Sequence, residues 1–288
     1  MPHRIVTTSL LLAVVFALAL PGRAPAGTLD QIKKSGEIRL GYRTDSLPLA
    51  FNEPSGQPSG YSVELCRRIA AAVKETLKLN DLKITYVPLT SEDRVEAIAS
   101  NKADIECGTT TMTLSREEKV DFTLMTFVTG GSLLTLAGSG IGTTADLAGK
   151  SVAVVSGTTT EPALKSYLAK TLIDAKIVEV STREEAMKQL DSKQVAAFAS
   201  DQIVLIGQIL LAAEPRKYAL GQDLFSYEPY AFMVRRNDAD FRLVADRALA
   251  QIYRAGQVEQ LYQRWFGQVG VKPSPVLAAM YVLQALPE

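Results

Sequence analysis

Residues 88–113 read PLTSEDRVEAIASNKADIECGTTTMT and run on through LSREEKVDF (114–122) into TLMTFVTGG (123–131). Ser91 has the chemistry of a helix N-cap, and Glu92 and Asp93 fall in the first turn, where the helix dipole favours acids. Arg94 then occupies the position at which a capping box carries Glu or Gln, and at which the dipole repels a cation. Val95, Ile98 and Ala99 supply a buried stripe, so the segment reads as a helix. A cation that breaks a local rule inside a well-formed helix start points to a ligand. Beside free backbone N–H groups, a guanidinium makes a socket for a carboxylate, held by two parallel charge-assisted hydrogen bonds. The alternative is a solvated arginine paired with Glu92, Asp93 or Glu96.

On both sides of this segment strands and helices alternate. Residues 37–42 form a short apolar strand ending at Arg43; residues 61–77 have Val63, Leu65, Ile69, Ala70 and Val73 near helical spacing. A strand at 83–87 leads to the helix of Arg94, and one at 103–107 ends in Gly108-Thr109-Thr110-Thr111. Ser115 with Glu118 reads as a capping box for a short helix. After Gly131 the pattern starts again: a strand at 151–155 breaking at Gly157, a helix opened by residues 158–162, a strand at 177–180, and a helix to Leu190 capped by Ser181 with Glu184. A strand at 195–200 then runs into Asp201 and an apolar helix at 203–211. Residues 226–230 feed a last strand at 231–234, and two helices, 239–255 and 257–266, stop at Gly256 and Gly267. The tail beyond Gly267 is not placed by its pattern. Strands alternating with helices twice over imply parallel sheets and two α/β lobes.

The chain's 288 residues, 47% hydrophobic and 22% charged, suit one large or two ordinary domains, without the basic excess of a nucleic-acid binder. Residues 1–26 read as a removable export signal. His3 and Arg4 precede the apolar run 9–20, too short for a comfortable membrane span, and Ala24-Pro25-Ala26 carries small residues at cleavage spacing. Its removal takes two arginines and no acid from 31 basic and 31 acidic residues, leaving a net charge of −2. It also takes the single histidine, which excludes His-based hydrolase chemistry and the usual zinc sites. No metal or cofactor is expected. Cys66 and Cys107 read as two separate buried thiols, with a disulfide as the alternative in an oxidising compartment.

The polar residues that immediately follow strands are Arg43, Ser91 with Arg94, Thr109 to Thr111, residues 158–160, and Asp201. In open α/β sheets ligands bind outside the carboxyl ends of the strands, and two such edges would face each other across one cleft. Each residue also has a plainer reading, as a helix cap or a solvated side chain.

With GYS at 60–62, PLTSEDR at 88–94, ECGTTT at 106–111, VSGTTTE at 155–161, AFASD at 197–201 and WFG at 265–267, the chain resembles the periplasmic solute-binding proteins of polar amino acid ABC importers. The likeness is greatest to their glutamate/aspartate-binding branch and runs from about residue 36 to 267. It implies an α/β fold of two lobes joined by two crossover strands, with the ligand cleft between them. Lobe 1 would be 27–125 and 232–288, lobe 2 would be 131–226, and the hinge strands 126–130 and 227–231. It implies that Arg94 clamps the ligand α-carboxylate, assisted by Thr111 and by backbone N–H groups near Thr158. Asp201 would pair with the α-ammonium, and Arg43, Ser91 and Thr109 would lie around the ligand. Arg183 stands where the branch can carry a histidine. Arg43, Arg94 and Arg183 against Asp201 leave two positive charges in surplus, which suits an acidic amino acid better than a neutral one.

The resemblance further implies a monomer that docks on a membrane permease and performs no chemistry. The alternatives are a dehydratase-type enzyme on the same scaffold, with Glu106 or Glu161 as acid or base, a binding protein for a neutral polar amino acid, and a sensory ectodomain.

Overall fold

Two five-stranded sheets organise the chain. The structure, a computed structural model, describes residues 27–267 and 270–288; the expected export signal lies outside them. In chain order, α1 (Thr28–Ser35) and β1 (Glu37–Tyr42) precede a small flap of β2 (Asp45–Ser46), β3 (Ala50–Asn52) and β4 (Pro58–Ser59). Then come α2 (Tyr61–Thr76), β5 (Lys83–Pro88), α3 (Arg94–Ala99), β6 (Ile105–Glu106), α4 (Leu114–Glu117) and the long β7 (Val120–Thr129). The second unit comprises β8 (Gly131–Leu136), β9 (Ser151–Val155), α5 (Thr160–Thr171), β10 (Lys176–Val180), α6 (Arg183–Asp191), β11 (Ala197–Asp201), α7 (Gln202–Leu211) and β12 (Tyr218–Leu220). The chain returns along β13 (Glu228–Arg235) and closes with α8 (Ala239–Arg254), α9 (Gln257–Trp265) and α10 (Pro275–Leu283).

The sheet orders are β5-β1-β6-β13-β7 and β10-β9-β11-β8-β12. Within each, three neighbouring strands are parallel, as the alternation of strand and helix requires. The expectation of parallel sheets holds for these three strands in each sheet and is corrected for the rest. β13 runs antiparallel to β6 and β7, and β8 runs antiparallel to β11 and β12, because these strands bring the chain out of one sheet and back. Successive side chains of β9 and β11 enter opposite cores. Val152, Ala197 and Ala199 pack with Leu164 and Leu168 of α5, whereas Ala153, Val155 and Phe198 pack with Leu190 of α6 and Leu205 of α7. In the first unit, α2 buries Leu65, Ile69 and Val73, and α8 buries Phe241, Ala245 and Leu249, in one core.

The chain passes between the units at two adjacent places. β7 runs through Gly130 into β8, and β13 lies alongside β7 from Glu228 opposite Thr129. A Cβ on Gly130 would stand 2.4 Å from the carbonyl oxygen of Ser226, so this approach admits only glycine.

Five local expectations are corrected. Ser91 is not the N-cap: α3 begins after Asp93, and Arg94 is its first helical residue, because Thr90 and Asp93 exchange side-chain-to-backbone hydrogen bonds that hold residues 90–93 in a turn. α4 is capped by Thr113, whose hydroxyl accepts from Arg116 N, and α6 by Thr182, whose hydroxyl accepts from Glu185 N; Ser115 and Ser181 do not cap. The strand expected at 103–107 is the two-residue β6. Cys66 and Cys107 form a disulfide, since α2 packs across the end of β6 and brings their Cα atoms to 6.0 Å. The tail forms α10, which lies over β7. Gln284 Oε1 accepts from Met125 N at 2.7 Å, and the Tyr281 hydroxyl meets that of Tyr61 at 2.8 Å.

Candidate functional site

The carboxyl ends of β1, β5 and β6 in one sheet face those of β9, β10 and β11 in the other, and each end delivers a polar side chain to the same place. From the first lobe come Arg43, Ser91, Arg94 and residues 109–111; from the second come residues 156–160, Arg183 and Asp201. Arg43, Arg94 and Arg183 are all buried, so the solvated reading of Arg43 and Arg94 is excluded. A guanidinium this deep is desolvated. Burial, reinforced by Arg183, lowers the pKa of Arg43 to about 10, and burial with Arg116 does the same to Arg94.

Arg94 donates from Nη1 to the carbonyl of Thr109 at 3.3 Å, while its Nε–H has no acceptor among the described residues. Arg43 Nη1 and Arg183 Nε are likewise buried without an acceptor. Three buried cationic donors without acceptors among the described residues can each donate to an anion, and each unmade bond carries a desolvation cost. Thr109 is buried beside Arg94.

Asp201 provides the opposite charge. Its Oδ1 accepts from Thr160 Oγ1 at 3.2 Å and its Oδ2 from the Tyr230 hydroxyl. Burial and the neighbouring Glu228 push its pKa up to about 6, with the two hydroxyls and Arg183 opposing. Glu228, from the start of β13, accepts at Oε2 from Thr111 Oγ1 and Thr159 Oγ1, both at 2.6 Å, and at Oε1 from Ser226 Oγ. Thr111 belongs to one lobe and Thr159 to the other, so this carboxylate bridges them. Ser91 also reaches across, donating to the carbonyl of Ser156 at 3.1 Å. Thr158 instead turns its hydroxyl back to Val155 O at 2.7 Å, which leaves its backbone as the part available to a ligand.

Sequence reasoning missed Asp45. Its Oδ1 accepts from Arg43 Nε at 3.2 Å and from Arg183 Nη1 at 2.5 Å, and Arg183 also donates to Ser46 Oγ at 2.9 Å. The charge surplus is therefore corrected from two to one when Asp45 joins the three arginines and Asp201. Farther out, Arg116 and Glu228 offset each other, and burial drives Glu106 toward its neutral form against the pull of Arg94. The signal for Asp45 was the one that found Arg43, a charged residue just past β1. Glu228 was marked by being an acid at the head of the largely apolar β13.

Among the described residues no cluster of three or more His, Cys, Asp or Glu side chains is arranged to hold a metal ion. A separate cavity of about 730 Å³ between α8, α9 and α10, walled by Tyr253, Val258, Tyr262 and Tyr281, contains none of the charged residues above.

Known proteins resemble this chain in sequence and fold. The chain is 37% identical over 244 residues to an L-glutamate/L-aspartate-binding protein of Pseudomonas aeruginosa, covering 84% of this chain and 80% of that one. It is 33% identical over 270 residues to a glutamate/aspartate import solute-binding protein of Salmonella typhimurium, covering 92% and 89%. Among solved structures, a periplasmic binding protein from Brucella ovis with glutathione bound superposes with a TM-score of 0.75 at 28% identity, over 81% of this chain and 72% of that one. The sequence pattern of one family matches residues 38–268, nearly the whole two-lobed body, and the chain belongs to that family: the bacterial extracellular solute-binding proteins, family 3.

Proposed function

We propose that this protein captures glutamate or aspartate between its lobes and delivers it unaltered to an ABC importer. The observation that carries the reading is the pairing of buried guanidinium donors without acceptors (Arg43, Arg94 and Arg183) with a buried carboxylate, Asp201, across one cleft. Arg94 takes the α-carboxylate, Asp201 the α-ammonium, and Arg43 with Arg183 the side-chain carboxylate. Ser91, Thr109, Thr111 and the backbone at Thr158 complete the shell. The single surplus positive charge matches the net −1 of an acidic amino acid, and the names of the relatives from Pseudomonas aeruginosa and Salmonella typhimurium agree.

In this reading residues 27–125 and 232–288 form lobe 1, 131–226 form lobe 2, and 126–130 with 227–231 are the hinge. A ligand held from both sides favours the closed state by its differential affinity. The protein works as a monomer in the periplasm after loss of residues 1–26. Binding is supported over catalysis by the two candidate carboxylates. Glu161 is engaged by Lys165 at 2.5 Å, and Glu106 is fully buried.

The test is a thermal-shift screen over the amino acids and small diacids, since a ligand that binds only the native state raises apparent stability. Glutamate or aspartate should give the largest shift. No shift with either, or a larger one with a neutral amino acid, overturns the reading.

A further inference from the structure

Asp45 sits in the middle of the proposed side-chain subsite. Arg43 reaches it from the same lobe, with Nη2 3.0 Å from both carboxylate oxygens, and Arg183 reaches it from the other lobe. The loop that carries it is pressed against the second lobe. Gln208 donates to Asp45 O at 3.4 Å, and a Cβ on Gly207 of α7 would fall 1.9 Å from the carbonyl oxygen of Leu47. The side chain of Asp45 is still 36% exposed, so its charge is partly screened by water. Burial works against its ionisation, but Arg183 and Arg43 outweigh that and hold the carboxyl below its usual range.

We propose that Asp45 is a specificity-determining residue: by sharing Arg43 and Arg183 with the ligand's side chain, it limits how strongly the site prefers an acidic amino acid over its amide. The inference rests on the functional reading above. The two arginines keep Arg43 Nη1 and Arg183 Nε free of protein acceptors, so a second carboxylate can bind beside that of Asp45 rather than replace it. With Asp45 ionised the trio carries one positive charge. A glutamate side chain neutralises it, and a glutamine side chain leaves it. Without the charge of Asp45 the pair carries two, and the Coulomb term that separates glutamate from glutamine grows. Asp45 also helps to hold the lobes together, but that contribution is common to both ligands and cancels in their affinity ratio. The ratio therefore isolates charge from closure.

The experiment is titration calorimetry of the mature protein and its Asp45→Asn variant with L-glutamate and with L-glutamine. Asparagine keeps a carbonyl acceptor for the arginines and removes only the charge. Asp45→Ser, which removes both, guards against an effect peculiar to the amide, and thermal unfolding confirms that each variant is folded. In both variants the glutamate-to-glutamine affinity ratio should rise at least about tenfold over the wild type. A ratio within about twofold of the wild type, or lower, overturns the role of Asp45 while leaving glutamate binding itself intact. A wild type that binds neither amino acid overturns the functional reading, and this inference with it.

Discussion

Replacing Arg94 by methionine should separate binding from stability. Arg94 is 4% exposed; among the described residues its guanidinium donates to a neutral carbonyl at 3.3 Å, and its Nε–H has no acceptor. A ligand α-carboxylate would receive two charge-assisted bonds from it, and removing one partner of such a buried pair costs about 3 kcal/mol, or on the order of 100-fold in affinity. Methionine fills most of the volume and needs no partner. The protein alone therefore exchanges a desolvated cation for an apolar side chain, a change that is neutral or stabilising. Arg94 does draw Glu106 toward its ionised form, while burial raises the pKa of that carboxyl, so loss of the arginine shifts it further toward its neutral form. Calorimetry on Arg94→Met should show at least a roughly hundredfold weaker dissociation constant for glutamate, with an unfolding midpoint unchanged or raised without ligand. A loss below about fivefold, near 1 kcal/mol, removes Arg94 from the site. A large fall in the ligand-free midpoint refutes the claim that its charge serves the ligand and not the fold.

Asp201 must be ionised to hold an ammonium, so binding at low pH must first drive off its proton. With its pKa raised to about 6 in the protein alone, affinity should be flat above about pH 7 and fall towards tenfold per unit below about pH 6. Asp201→Asn should bind weakly and lose this dependence, and a wild-type dissociation constant that is level from pH 8 to 5 would contradict the assignment. For the ligand-free fold the sign is opposite. A carboxyl raised from 3.8 contributes stability that is fully present below about pH 4 and lost as pH rises through about 6. The Cys66–Cys107 bond closes a loop of 41 residues, for which the chain-entropy relation gives about 4 kcal/mol, so the double serine variant should unfold at clearly lower urea; an unmoved midpoint would argue against this contribution.

The repeating strand-and-helix order was legible because parallel strands buried on both faces need crossover helices, and the apolar spacing of α2 and the Gly256 stop of α8 follow from that. The pairing of β13 between β6 and β7 was not legible, since it joins residues about a hundred or more positions apart. The caps of α3, α4 and α6 were misplaced by one or two residues because Ser, Thr and Asp cluster there and each can cap. Of the site, the residues at strand ends were legible from their position alone. For Asp45 and Glu228 position gave a signal but not the role, because their importance comes from side chains of the other lobe, Arg183 for one and Thr159 for the other. The cysteine pair was misread as two thiols because only tertiary packing within the first lobe sets its separation.

The central claim is that opposite halves of the molecule grip one zwitterion, and a crystal structure of the mature protein grown with L-glutamate tests it most directly. The account predicts the α-carboxylate within about 3.2 Å of a guanidinium nitrogen of Arg94 and the α-ammonium within about 3.2 Å of a carboxylate oxygen of Asp201. Glutamate seated on one lobe only, or touching neither side chain, would contradict it.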